Sequence, residues 1–156
     1  MIRELKIVRH LAKKVNATNA NYRPTEGQRS IAELLQYLSF CGSGAVSAML
    51  DTGWDRYHEF KERAKDVTWQ SMPAALDVEE ARLQGLFQEI SDEDFAKREA
   101  KTPLSEIMPL GQALLEVPLK WMVAYRMQLF LYLKQSGLQE LSTYNCWGGI
   151  DKAAGK

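Results

Sequence analysis

Apolar residues recur at helical spacing along most of the chain, in stretches separated by polar turns. The first stretch, over Ile2–Asn19, sets Leu5, Val8, Leu11 and Val15 on one side, with Lys and Arg on the remaining surface. Asn16-Ala-Thr-Asn-Ala-Asn weakens its end, and Pro24 with Gly27 marks a turn. The second stretch starts with a cap. Ser30 can accept an orphan amide while Glu33 reaches back to it, and Ile31, Leu34, Leu35 and Leu38 form the apolar face. Cys41-Gly-Ser-Gly-Ala then removes bulk, which lets a neighbouring helix approach or leaves room for a ligand; close packing is the expected use. Asp51-Thr-Gly ends the segment.

Trp54–Ala64 reads as a short helix or an irregular excursion. Met72-Pro leads into a third long helix, where Asp77 and Glu80 repeat the cap-and-reach-back spacing before Leu83, Leu86, Phe87 and Ile90. Glu79 and Glu80, on this reading, serve a helix start. Ser91-Asp-Glu-Asp is an acidic helix start suited to the positive end of the helix dipole, and Lys97–Pro103 is a polar connection. A fourth helix is predicted over Ser105–Ser136, kinked at Pro118 and ended by Gly137. It is apolar around much of its circumference, so it sits centrally or offers a subunit interface. No repeat or persuasive strand appears. The pattern predicts an all-α helical bundle, one domain over residues 1–145 with a C-terminal tail over 146–156.

Composition narrows the class. A chain of 156 residues can bury a core without crosslinks, and 46% hydrophobic with 26% charged residues is a soluble, globular profile. Twenty basic residues balance twenty acidic ones, which gives no case for nucleic acid or an anionic membrane. The N-terminus is not a secretory signal, and Leu110–Leu133 is interrupted by Glu116, Pro118, Lys120, Arg126 and Gln128, against a membrane span. Cys41 and Cys146 read as reduced cytoplasmic thiols, with a disulfide between them left open. Cys146 has no sequence neighbour to lower its pKa, so a nucleophilic role is poorly supported.

Three motifs, in order, resemble the DinB family. Tyr22-Arg-Pro-Thr-Glu-Gly-Gln-Arg-Ser-Ile-Ala-Glu-Leu-Leu-Gln-Tyr-Leu is similar to the family's entry into its second helix. Phe87–Phe95 is similar to the close of its third. Tyr125-Arg-Met-Gln-Leu-Phe-Leu-Tyr-Leu-Lys-Gln-Ser-Gly resembles its last motif, in which a histidine precedes Arg-Gly-Gln-Leu. The resemblance spans about Tyr22 to Gly137. It implies an up-and-down four-helix bundle, commonly dimeric, and in many members a divalent metal held by three histidines. Those positions fall here on Tyr37, Trp121 and Tyr125.

None of the three suits such a metal. Tryptophan offers no donor, and tyrosine must ionise, from a reference pKa of about 10, to ligate. His10 and His58 are expected at the surface or in local hydrogen bonds. The metal site and any cofactor are therefore expected to be absent. The aromatics then fill the hole as core, the plainer reading, or line a reshaped pocket with phenol handles and an indole wall. Arg126 is expected to pair with Glu116 or an acid of the third helix, and Gln128 to bond a tyrosine hydroxyl or buried backbone. The expectation is a metal-free small-molecule-binding or structural homodimer of the DinB-like group. The alternative is a divergent enzyme, since the resemblance also implies thiol-dependent S-transferases and metal-dependent hydrolases.

Overall fold

Helices dominate the computed structural model, which describes residues 1–51 and 53–152. Four rods make the bundle. The first is α1 (Ile2–Ala12), the second α2 (Ile31–Leu38) followed by α3 (Cys41–Leu50), and the third α5 (Met72–Gln88). The fourth joins α7 (Leu110–Leu114), a π turn (Leu115–Leu119) and α8 (Lys120–Gln135). Between the second and third rods lies α4 (Asp55–Ala64); between the third and fourth lie α6 (Asp92–Lys97) and a hairpin of β1 (Glu99–Lys101) and β2 (Ile107–Pro109). The excursion after the second rod is thus a regular helix. No helix among the described residues is long and apolar enough to cross a membrane.

The first and second rods both pack against the third and the fourth and barely touch each other. The core is built from Leu5, Val8 and Leu11 of α1, Leu34, Leu35 and Leu38 of α2, Leu76 and Leu83 of α5, and Met122, Leu129 and Leu133 of α8. The fourth rod contacts the first and second rods and the C-terminal turn, which accounts for its apolar circumference by a central position. Leu115 and Leu131 remain exposed on it.

Several boundaries differ from those expected. The first helix stops at Ala12, because Asn16 and Asn19 take over the backbone that would extend it. Asn16 Oδ1 accepts from the amides of Thr18 and Asn19, and Asn19 Nδ2 donates to the Lys14 carbonyl. The third helix starts at Met72, with Pro73 in its first turn where no amide partner is needed. Asp77 and Glu80 lie inside that helix, one turn apart, and both bind Arg9 of α1. The fourth rod starts only at Leu110, since residues 99–109 fold into the hairpin that the apolar pattern did not disclose. Ser105, expected to open that helix, sits in the hairpin loop at φ 65°.

Other signals hold. Ser30 with Glu33 forms a complete capping box, as does Ser91 with Asp94. Gly137, at φ 117°, closes α8 with the amides of Gly137 and Leu138 returning to the carbonyls of Lys134 and Leu133. Pro118 is absorbed by the π turn, whose wider ring tolerates the missing amide hydrogen. After α8 the chain makes a second π turn, Tyr144–Gly148, packed on α1 and α8 with Asn145 and Cys146 buried. The expected tail from residue 146 begins within this turn. Thr52 and residues 153–156 lie outside those described.

Candidate functional site

Three helices present aromatic stripes to one another. Arg29, Glu33, Gln36, Tyr37 and Phe40 recur along one side of α2 and its flanks, and Trp54, Tyr57, His58 and Lys61 recur at i, i+3, i+4 and i+7 on α4. Trp121 and Tyr125 face them from α8, just after the π turn. Tyr37 and Tyr125 meet edge to face with ring centroids 4.8 Å apart. Tyr57 packs against Trp54 at 5.6 Å and Trp121 at 6.0 Å, and it donates a hydrogen bond to the Tyr37 hydroxyl at 3.1 Å. Phe40 closes the floor, 5.4 Å from Tyr37 and 5.6 Å from Tyr57. The Arg29 guanidinium covers Tyr37 at 4.6 Å and Tyr125 at 5.5 Å.

A cleft of about 640 Å³ opens over this floor, with Tyr37, Tyr57 and Trp121 among its walls. A second lobe of about 480 Å³ shares Tyr57, His58 and Trp121 and extends to Trp54 and Lys101. The three positions singled out in the sequence are thus used unequally. Tyr37 and Trp121 line the cleft, while Tyr125 backs Tyr37 and lies outside the lining.

The donor chemistry here does not fit a divalent metal. Burial pushes the phenols of Tyr37 and Tyr57 well above the ordinary tyrosine value, so both stay neutral hydroxyls. Trp121 has no lone pair to give. Among the described residues, no group of three His, Cys, Asp or Glu side chains is placed to hold an ion. His58 lies at the junction of the two lobes, exposed and with no hydrogen-bond or ion-pair partner among the described residues. His10 lies elsewhere, 3.1 Å from Asn145 Nδ2, with its pKa lowered first by burial.

Two buried ionic clusters flank the aromatic site. Arg126, fully buried, donates to Glu4 of α1 at 2.9 Å, to the Cys146 carbonyl at 3.0 Å and to Cys146 Sγ at 3.2 Å, beneath the Trp147 ring. It does not pair with Glu116, which binds Lys120 one turn away. The C-terminal turn brings the carbonyl to Arg126, a contact invisible to local spacing. It also gives Cys146 a cationic neighbour that the sequence did not show. Burial nevertheless outweighs Arg126 and raises the Cys146 pKa. Both thiols are free and buried. Gln128 bonds the hydroxyl of Tyr132.

The second cluster centres on Glu79. This carboxyl is fully buried, inside α5 rather than at its start, and it accepts from the Ser43 amide at 2.8 Å and from the Ser43 hydroxyl. The reason lies in the break between α2 and α3. Phe40, at the cap position of α3, has no side-chain oxygen, so a carboxylate from another helix takes the orphan amides. The small residues of α3 permit this. A Cβ on Gly42 would come within 3.0 Å of both Glu79 Oε1 and Met122 Sδ. Burial lifts the Glu79 carboxyl to about 7.

Sequence reasoning passed over Tyr57 and Arg29, and it placed Glu79 at a helix start rather than inside the helix. The first carried a legible signal in the Trp54–Lys61 stripe. Arg29 lay just outside the cap, and the long-range partner of Glu79 had no local sign.

No family model matches the sequence, and no curated protein matches it. Among solved structures, the chain is similar to the crystal structure of a DinB-like protein, YjoA, from Bacillus subtilis. The TM-score is 0.72 over 92% of this chain and 93% of that one, at 17% sequence identity. The fold of this chain is therefore the DinB-like helical bundle that the three motifs implied.

Proposed function

We propose that this chain is a metal-free small-molecule-binding protein of the DinB-like fold, acting as a homodimer, with the aromatic cleft as its ligand site. The observation that carries the reading is the replacement of all three implied ligand positions by Tyr37, Trp121 and Tyr125, with two of them lining an open cleft. A volume of about 640 Å³ lies in the range of small-molecule pockets. Neutral phenols and an indole suit an organic ligand better than a cation of high charge density. The apolar side chains left outside the bundle, Leu115 and Leu131 on the fourth rod and Trp147 and Ile150 after it, support a second copy as partner. Two free, buried thiols suit a cytoplasmic setting.

Elemental analysis of the purified, dialysed protein tests the metal-free claim. The expected result is well under one transition metal per chain. Stoichiometric nickel, zinc or iron, released by Tyr37→Phe, would overturn it. Light scattering is expected to give twice the chain mass of 17.8 kDa; a monomer at all concentrations would remove the dimer from the proposal.

A further inference from the structure

We propose that the cleft takes a planar organic anion, an aromatic carboxylate, with its ring against Tyr57 and Trp121 and its charge toward Arg29 and Lys61. This rests on the reading of the cleft as a small-molecule site and adds the chemical class of the ligand.

Charge around the cleft is unevenly satisfied. Arg23 is paired with Glu33 at 3.1 Å, and Lys65 with Glu62 at 3.8 Å. Arg29 and Lys61, and Lys101 in the adjoining lobe, have no ion-pair partner among the described residues, against Glu26 alone on the acidic side. The guanidinium of Arg29 lies over the rings of Tyr37 and Tyr125 with its N–H donors bonded to nothing described. An aromatic box alone would welcome a cation. Three unpaired cations around it reverse that preference.

The hydroxyl pair points the same way. Tyr57 and Tyr37 share one hydrogen bond. Tyr57 is the donor, so the Tyr37 O–H hydrogen has no acceptor among the described residues. A neutral O–H beside a guanidinium is a donor set for a carboxylate, which accepts several hydrogen bonds and gives none. The indole and phenol faces of Trp54, Tyr57 and Trp121 supply a wall matched to a flat, apolar body.

Calorimetric titration of the full chain with 2-naphthoate, 2-naphthamide and 2-naphthylmethylammonium separates the possibilities. The carboxylate is expected to bind about tenfold more tightly than the amide, the worth of one charge-assisted hydrogen bond. Arg29→Gln should cost the carboxylate about tenfold and leave the amide within about twofold. Lys61→Gln should act in the same direction and more weakly, independently of the stacking by Arg29. Equal binding of carboxylate and amide, or tighter binding of the ammonium, overturns the anion and leaves the cleft as a site. A folded chain that binds none of the three overturns both.

Discussion

Tyr125 and Arg126 are adjacent in sequence, yet about 100° apart around α8 they serve different sides of it, and the two sides treat polar groups differently. On the Arg126 side a buried cation is fully answered by Glu4 and the Cys146 carbonyl. On the Tyr125 side, neutral phenols and an exposed arginine leave one hydroxyl hydrogen and several cations unanswered, among the described residues, around an open cleft. A satisfied ionic cluster fixes structure, because breaking it strands a charge. An unsatisfied one at a cleft is where a ligand adds something. The difference between these two sides separates scaffold from site.

The sharpest way to break that contrast is to remove Glu4. Glu4→Gln strands the Arg126 guanidinium, and urea denaturation should show a loss of about 3 kcal/mol, the low end for a broken buried pair. A loss near zero would mean that the Arg126 side is as unconstrained as the cleft.

Glu79 extends the contrast through pH. Its folded pKa, about 7, lies above the ordinary carboxyl value of 4.5, so the protonated form is favoured on folding. Its stabilising contribution is complete below pH 4.5 and is lost as pH rises through 7. Between those limits the stability of Glu79→Gln relative to the native protein should improve by roughly 3 kcal/mol. Parallel stability curves for the two proteins across that range would contradict it. Gly42→Ala should cost about 1–2 kcal/mol, because the added methyl presses on the carboxyl that Ser43 holds in place. An unchanged denaturation midpoint would show that the packing there yields.

The smallest stability effect belongs to the cleft. Tyr37→Phe removes the acceptor for Tyr57 and should cost about 1 kcal/mol or less in urea denaturation. A loss matching that of Glu4→Gln would move the cleft into the structural class.

The two sides were also unequally legible. The apolar spacing of α1, α2, α5 and α8 and the caps at Ser30 and Ser91 are local, and the rods follow from them. The aromatic face was visible as Tyr37, Trp121 and Tyr125 through the resemblance, and Trp54–Lys61 repeats at helical spacing. Arg126 meets Cys146 only when the C-terminal turn folds back on α8, and Glu79 meets Ser43 only when the second and third rods pack. Glu79 looks like a helix-start acid because the helix that contains it begins at Met72, five residues before the expected cap at Asp77. The hairpin over residues 99–109 was missed for another reason. Its strands are three residues each, too short for an alternating pattern.

The four tryptophans report directly on the central claim, since Trp54 and Trp121 line the two lobes while Trp69 and Trp147 lie elsewhere. In an NMR titration with 2-naphthoate, the indole N–H signals of Trp54 and Trp121 should move together and saturate, with those of Trp69 and Trp147 unmoved. A saturable shift confined to Trp147, or no shift at Trp121, would contradict the assignment of the aromatic side as the site.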